Sequence, residues 1–448
     1  MKVAFLTLGC KVNYYETERM MADFQKSGFE IVEFQEKADV YVINTCTVTN
    51  IADRKSRKML HRAKKMNPNS IVVAVGCYVE SGGEVLQADA AIDVSFSNKE
   101  KENIAEKVLD YLREIDVLLD GKELKNSRLQ NINTTSERTR KYIKIQDGCN
   151  QFCSYCLIPY VRGKGELVSR KPEEILDEIR KIAEAGYKEI VVTGIHLSSY
   201  GVEWDQEPGK RISASKFVEQ KGAPLIRLLQ KVDQIQGIER IRLGSLEPRI
   251  ICREFVEGLK QIRKLCPHFH LSLQSGCDDT LKRMNRHYTT DEFRETCELL
   301  RQTFEHPAIT TDVIVGFPGE TEEEFETTRN FVKDVALADI HVFPYSVRTG
   351  TKAATMANQI SPDIKHKRTE ILMADTAQLK EQYETYFIHK EEKVLFEEIR
   401  EVDGGKCLVG HNERYVMMQV PLELANQRGY RENDIAILTV QPEFILKK

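Results

Sequence analysis

Three cysteines in one short loop are the residues of this chain best suited to carry out chemistry. Cys149, Cys153 and Cys156 follow a C-x3-C-x2-C spacing. Three thiolates this close can ligate three irons of a cubane [4Fe-4S] cluster, and no fourth cysteine lies nearby in the sequence to cap the last iron. That iron is open to a chelating ligand, which an electron passed through the cluster can cleave to release a carbon radical.

A structural zinc site is the alternative for this loop. Zinc motifs usually combine C-x2-4-C with a second pair that completes a tetrahedron. The later cysteines are scattered singly, so the spacing favours the iron–sulfur cluster. We interpret these later cysteines as plain core or surface thiols: Cys252, Cys266, Cys277, Cys297 and Cys407.

A second group of cysteines follows the first apolar runs of the chain. These runs, each followed by a helical pattern, are 3–8, 40–44 and 71–75. The alternation predicts a parallel sheet flanked by helices, and ligands collect at the carboxyl ends of such strands. Cys10, Cys46 and Cys77 come directly after these runs and are therefore expected to converge on one sheet edge, as a second three-thiolate cluster. The alternative is that each buried cysteine is only a small hydrophobic residue.

Six further apolar runs alternate with amphipathic helical patterns in the middle of the chain. The predicted strands are 142–145, 189–192, 240–243, 268–273, 311–315 and 340–343. Six such units predict a partial (β/α)6 barrel whose chemistry lies at the carboxyl ends of its strands, and the three-cysteine loop follows the first of them. Polar or glycine-rich segments follow the other five strands, which favours a lined pocket at that mouth.

Length and composition describe an α/β protein of several domains. With 448 residues, 30% of them charged and 41% hydrophobic, the chain is too long for one core. An odd count of eleven cysteines in a long chain fits a reducing compartment, and no apolar run is long enough to span a membrane, so we expect a cytoplasmic protein. The predicted divisions are an open parallel α/β domain at 1–113, a polar linker at 114–136, the barrel at 137–367, and a helix with a small all-β module at 368–448.

Two segments bear on nucleic-acid binding. The net charge of −4 does not by itself indicate a nucleic-acid partner. A predicted helix over 54–65 places Arg54, Lys58, Arg62 and Lys65 on one face, which is either a solvated surface or a phosphate-binding stripe. Residues 391–448 contain eleven acidic and eight basic residues, a net of −3, which is unfavourable for binding phosphate.

The string DGCNQFCSYCLIPYVRGKGELVSR resembles the radical SAM methylthiotransferase family. The resemblance implies that Cys149, Cys153 and Cys156 hold the [4Fe-4S] cluster that cleaves S-adenosylmethionine (SAM). It also implies a second [4Fe-4S] cluster, on the three N-terminal cysteines, and a TRAM-like β-barrel at the C-terminus that helps to hold RNA. The stretch 200–224 departs from the family in length and is either a lid, a substrate contact or a disordered insertion.

The resemblance further implies the cofactor contacts and the reaction. Thr193 and Gly194 lie where barrels of this class bind the methionyl amine, and Ser245, Glu247 and Gly316 lie where the ribose and adenine bind. One SAM would methylate a sulfur at the second cluster, and another would supply a 5′-deoxyadenosyl radical that removes hydrogen from the substrate. The sulfur source and the electron donor are not identified by the sequence.

The substrate expectation comes from two strings in the first hundred residues. GCKVNYYETE and NTCTVTNIADRKSRK resemble the branch acting on N6-threonylcarbamoyladenosine (t6A) at position 37 of tRNA. The alternatives are isopentenyladenosine (i6A) at the same position, or an aspartate of a ribosomal protein. An alternative of a different class is a non-catalytic, zinc-dependent RNA-binding module.

Overall fold

The computed structural model describes residues 1–114, 139–206 and 210–447. The predicted linker at 114–136 lies outside the described residues, except for residue 114. Residues 207–209 of the stretch 200–224 also lie outside the described residues. The chain divides into two compact units. The first consists of residues 1–114, Tyr155–Glu166 and Ser346–Thr351, and the second of 139–154, Leu167–Tyr345 and 352–447.

A five-stranded parallel sheet with the order β2-β1-β3-β4-β5 forms the first unit. Its strands are β1 (Lys2–Thr7), β2 (Glu30–Val32), β3 (Val40–Thr45), β4 (Ile71–Gly76) and β5 (Val94–Phe96). Its helices are α1 (Lys11–Lys26), α2 (Asn50–Met66), α3 (Cys77–Gln87), α4 (Ile104–Glu114) and, within Tyr155–Glu166, α5 (Ile158–Val161). Because both faces are covered, β3 and β4 are buried at every residue, as their continuous apolar sequences require.

Helices α1 and α4 pack on one face of this sheet, around Met20, Phe24 and Val108. Helix α2 covers the other face with Leu60 and Ala63. Helix α4 begins at Ile104. A single 3-10 turn precedes Asn103, whose φ of 56° breaks the helical path before α4 begins.

The second unit contains six parallel strands in succession. The strands are β6 (Arg140–Asp147), β8 (Glu189–Gly194), β9 (Arg240–Leu243), β10 (His268–Gln274), β11 (Ala308–Val315) and β12 (Asp339–Pro344). They form two sheets, β6-β8-β9 and β10-β11-β12, which are joined by a parallel bridge between Leu246 and Leu271. A short antiparallel strand, β7 (Val168–Ser169), closes the β6 edge. This arrangement confirms the predicted α/β class with a partial (β/α)6 barrel.

The helices of the second unit enclose one large apolar core between themselves and the strands. They are α6 (Pro172–Glu184), α7 (Lys216–Glu219), α8 (Ala223–Asp233), α9 (Arg253–Lys260), α10 (Asp278–Arg283), α11 (Thr290–Thr303), α12 (Glu322–Val335) and the long α13 (Pro362–Thr385). Among residues 1–114, 139–206 and 210–447, no helix is sufficiently long and apolar to cross a lipid bilayer.

The C-terminal module is an antiparallel sheet with the order β15-β14-β13-β16, which confirms the predicted all-β character. Its elements are β13 (Glu391–Val402), β14 (Gly405–Asn412), β15 (Met417–Pro421), α14 (Leu422–Gln427) and β16 (Ile435–Thr439). A separate apolar cluster, including Phe396, Met418 and Leu438, forms its core.

Buried charges attach this module to the amino-terminal ends of the barrel strands. Glu189 contacts Arg242 at 2.9 Å and Arg140 and Arg240 at 3.6 Å each. Arg240 also donates to the carbonyls of Lys393 and His411. The amino-terminal ends of the barrel strands and the β-module therefore share one buried polar cluster.

Candidate functional site

The three-cysteine loop begins directly after β6, at the carboxyl end of the first barrel strand. Cys149 is buried, and Cys153 and Cys156 are partly exposed. Burial raises the pKa of the Cys149 thiol to about 12, and the neighbouring Cys153 adds to the rise. A coordinated metal reverses this effect, because a ligating thiol is deprotonated outright.

An arginine–glutamate pair supports the Cys153 side of this loop. Arg286 donates from Nη1 to Cys153 Sγ at 3.2 Å and from Nη2 to Glu247 Oε2 at 2.9 Å. Arg249 donates to the other carboxylate oxygen of Glu247 at 2.6 Å and to Gln151 Oε1 at 3.0 Å. Both Glu247 oxygens therefore accept from arginines, and the carboxylate positions the loop around Cys153.

The stretch 200–224 lies along the same loop. Asn150 donates to the carbonyl of Ile212 at 3.2 Å, and Gln151 donates to that of Ala214 at 2.8 Å. Phe217, in α7, is fully buried, with the Arg249 guanidinium 5.2 Å from its ring centre. The described part of this stretch is therefore a wall of the loop that carries Cys149 and Cys153.

His196 is a partly buried polar residue of this mouth that the sequence did not single out. Its Nδ1 is 2.7 Å from Ser199 Oγ, while its buried Nε2 has no hydrogen-bond partner among the described residues. Burial lowers the pKa of His196 to about 4, so the ring is neutral near pH 7. A neutral ring with one open nitrogen can donate to or accept from a bound polar group.

The predicted SAM contacts lie at three strand ends. Thr193 is buried and Gly194 partly buried in the last two residues of β8, where a Cβ on Gly194 would lie 3.1 Å from the Gln146 side chain. Ser245 is exposed beyond β9. Gly316 follows β11, and its N–H donates to Glu320 Oε2 at 2.6 Å, while Lys365 of α13 lies against its α-carbon.

The three N-terminal cysteines lie at the carboxyl edge of the first sheet. Cys46 and Cys77 are buried and Cys10 is exposed. Burial is the main cause that raises the pKa of the Cys46 thiol to about 11, and the nearby Cys77 and Cys10 contribute to this rise. Gly9 permits this approach: its φ is 97°, and a Cβ there would lie 2.7 Å from Cys46 Sγ.

Two polar side chains donate to the Cys77 sulfur. Arg162 Nε lies 3.3 Å from Cys77 Sγ, and Asn98 Nδ2 lies 3.8 Å from it. Arg348 orders the loop after Cys46 by donating to Thr47 at 2.6 Å and pairing with Asp53 at 2.7 Å. These contacts fix the orientation of the Cys77 side chain and of the loop after Cys46.

The donor sets fit iron–sulfur clusters. Within the described part of the chain, no three His, Cys, Asp or Glu side chains converge as ligands of a single metal ion. A cubane requires a different arrangement, because each thiolate ligates its own iron at a separate corner. Sulfurs that accept hydrogen bonds from Arg162 and Arg286 are also typical of cluster ligands, whose potentials such bonds tune.

Comparison with known families decides the class of the protein. Residues 143–332 match the radical SAM superfamily, and residues 2–97 match the "Uncharacterized protein family UPF0004". The chain is 38% identical over 92% of its length to the threonylcarbamoyladenosine tRNA methylthiotransferase MtaB of Bacillus subtilis, covering 89% of that protein. The chain belongs to the radical SAM methylthiotransferase family. Membership assigns SAM and a [4Fe-4S] cluster to this methylthiotransferase and confirms that it is an enzyme.

Two other methylthiotransferases show the range of sequence identity between this chain and its relatives. Identity is 40% to MtaB of Aquifex aeolicus, over 83% of this chain and 87% of that one. Identity is 33% to the tRNA-2-methylthio-N(6)-dimethylallyladenosine synthase of Clostridium botulinum, over 90% of this chain and 87% of that one.

A solved structure supports the fold. The radical SAM methyltransferase TsrM of Kitasatospora setae superposes with a TM-score of 0.55 at 13% identity, over 79% of this chain and 77% of that one. At this identity the likeness concerns the fold of the methylthiotransferase alone.

Three arginines of the chain pair with carboxylates. Arg283 binds Glu324, Arg286 binds Glu247, and Arg348 binds Asp53. Arg162 escaped the sequence reasoning as a polar neighbour of Cys77, because the two residues are 85 positions apart. Its place in the motif after Cys156 was the only available signal.

Proposed function

We propose that the protein converts t6A to its 2-methylthio derivative at position 37 of tRNA. The observation that carries this proposal is its identity of 35–40% to three proteins named threonylcarbamoyladenosine tRNA methylthiotransferase MtaB. Each match covers more than four fifths of both chains. The tRNA partner and the cytoplasmic location follow from the same proposal.

Two sets of three cysteines suit the chemistry of this reaction. Replacing hydrogen at C2 of adenine breaks an unactivated C–H bond, which side-chain acids and bases cannot readily ionise. When bound, SAM and a [4Fe-4S] cluster supply the radical that removes this hydrogen. We assign that cluster to Cys149, Cys153 and Cys156, and a second one, which presents the sulfur, to Cys10, Cys46 and Cys77.

The protein's own residues would orient the bound SAM. Thr193, Gly194, Ser245 and Gly316 are proposed contacts, supported by their positions at or just after the carboxyl ends of β8, β9 and β11. For Glu247 we now propose an indirect role, because both of its carboxylate oxygens accept hydrogen bonds from arginines. We retain the predicted domain divisions at 1–113, 137–367 and 368–448 as part of this proposal.

The exposed basic face of α2 is the proposed contact for the tRNA backbone. Arg54, Lys58, Arg62 and Lys65 are all exposed, and among the described residues none of them forms an ion pair. Lysine and arginine without acidic neighbours bind phosphate and release counterions, which makes binding depend on salt. The acidic β-module has the less favourable charge for this contact.

Reversing these charges tests the contact. K58E/R62E is expected to weaken tRNA binding and to lower the slope of log affinity against log salt by about one for each lost phosphate contact. K26E is the control, because Lys26 is exposed at the end of α1 on the opposite face of the sheet. Equal effects of the α2 and α1 variants would contradict the assignment.

Metal content, variant activity and product analysis test the function. Anaerobically reconstituted protein should contain about eight irons if two cubanes are present, whereas a zinc module would be iron-free. C46A should retain SAM cleavage and lose methylthiolation, because the first cluster survives. Loss of both activities in a folded, cluster-loaded variant would contradict the two-cluster division.

The substrate is tested by mass spectrometry of nucleosides after incubation with tRNA carrying either t6A or i6A. Methylthiolation of t6A alone is the expected result. Methylthiolation of i6A alone would instead assign to this protein the activity for which the Clostridium botulinum relative is named. A product on neither tRNA, with both clusters loaded, would favour a protein substrate.

A further inference from the structure

Arg162 donates hydrogen bonds to three side chains at the carboxyl edge of the first sheet. Its Nε donates to Cys77 Sγ at 3.3 Å, and its Nη2 donates to Asn13 Oδ1 at 3.1 Å. Its Nη1 and Nη2 contact the two oxygens of Glu16 at 2.8 and 3.1 Å, in a bidentate pair. The Arg162 side chain is only 1% exposed, so this geometry is sealed from water.

A lysine fixes the far side of this pair. Lys101 Nζ contacts Glu16 Oε2 at 2.5 Å, and both side chains are less than 10% exposed. Bidentate arginine–carboxylate pairs have a defined orientation as well as greater strength. The position of the Arg162 N–H groups is therefore set by Glu16 before any cofactor binds.

The second unit contains the same arrangement at a different cysteine. Arg286 donates to Cys153 Sγ at 3.2 Å and to the buried Glu247 at 2.9 Å. Each three-cysteine set thus has one cysteine whose sulfur accepts from an arginine, and each arginine is held by a buried glutamate. Nothing in the sequence relates the two arrangements, so their recurrence points to a shared requirement.

That requirement is electrostatic. Arginine remains charged in proteins, and a positive donor stabilises the more negative, reduced state of a cluster. We propose that Arg162 is a positioning residue for the cluster on Cys10, Cys46 and Cys77, and that its bond to the Cys77 sulfur raises the reduction potential of that cluster. Glu16 fixes the donor direction, and Lys101 supports Glu16. This inference rests on the second cluster of the proposed function.

A redox titration followed by electron paramagnetic resonance tests the inference on anaerobically loaded, full-length protein. R162M removes the charge and the donor at similar size, and R162K keeps the charge on a group that cannot form the bidentate pair. K164M is the matched control, because Lys164 is an exposed cation on the same segment. Repeating the titrations with C149A, C153A and C156A combined assigns the signal to the second cluster.

At a fixed potential, R162M is expected to lower the ratio of reduced to oxidised second cluster about tenfold, which is 59 mV for a one-electron couple. R162K is expected to lower it about threefold, and K164M is expected to leave it unchanged. If R162M does not retain its cluster, R162K decides the question. An unchanged ratio in the loaded arginine variants, or an equal fall in K164M, would overturn the proposal.

Iron content separates this inference from the proposed function. If C10A, C46A and C77A combined lose no iron relative to wild type, the second cluster does not exist and the proposed function fails with it. If that triple variant loses about half of the iron while R162M leaves the potential unchanged, only the role of Arg162 is refuted.

Discussion

Replacing Glu189 with glutamine should destabilise the second unit strongly. The carboxylate is 1% exposed and contacts three arginines, two of which also donate to carbonyls of the β-module. Removing its charge leaves buried guanidinium groups with one counter-charge fewer, for which about 3–5 kcal/mol is typical. At about 2 °C per kcal/mol for a unit of this size, the melting temperature should fall by roughly 6–10 °C.

The assay is the thermal transition of the fluorescence of Trp204, the single tryptophan of the chain, which lies in the second unit. E219Q is the matched control, because Glu219 is exposed and such a surface pair with Lys216 contributes only about 0–1 kcal/mol. Amide exchange in β14 should also accelerate in E189Q, since Arg240 and Arg242 donate to carbonyls of that strand. A shift no larger than that of E219Q would refute the reasoning.

Two further predictions concern the candidate site. The pKa of His196 is lowered to about 4 in the folded state, whereas a histidine in the unfolded chain has a pKa of about 6.5. As the pH falls below about 6.5, the unfolded state binds a proton that the folded state does not bind, so the folded state is destabilised. Iron-free wild type should therefore lose about 2 kcal/mol more stability than H196N between pH 7 and pH 5 in urea titrations, and equal losses would contradict this. G9A should displace Cys46 and lose the iron of the proposed second cluster, because its Cβ would lie 2.7 Å from Cys46 Sγ; full iron content in G9A would contradict this.

The strands that carry the cysteines were predictable because their signals are local. Continuous apolar runs gave all six barrel strands and β3 and β4 to within a few residues, and parallel sheets bring such strand ends to one edge. The short strands β2 and β7 escaped prediction, since two or three partly exposed residues carry no periodic pattern.

The residues around the cysteines were less accessible to sequence reasoning. Arg286 lies 133 positions from Cys153, and no spacing rule relates them. A surface or phosphate-binding role is the ordinary expectation for an arginine near a barrel mouth, so its pairing with Glu247 required the fold. The contact of Asn150 with Ile212 likewise shows that the stretch 200–224 supports the loop, which its length alone did not indicate.

The discontinuous make-up of the first unit constrains its biogenesis. Residues 1–114 lack Arg162 and Arg348, which are contributed by Tyr155–Glu166 and Ser346–Thr351. On a ribosome that adds about 5–20 residues per second, tens of seconds separate the emergence of β5 from that of Arg348. The loop after Cys46 is therefore without its partner Arg348 during most of translation. The cluster proposed for this edge is accordingly expected to assemble after chain release, and an excised N-terminal fragment should be a poor acceptor of iron.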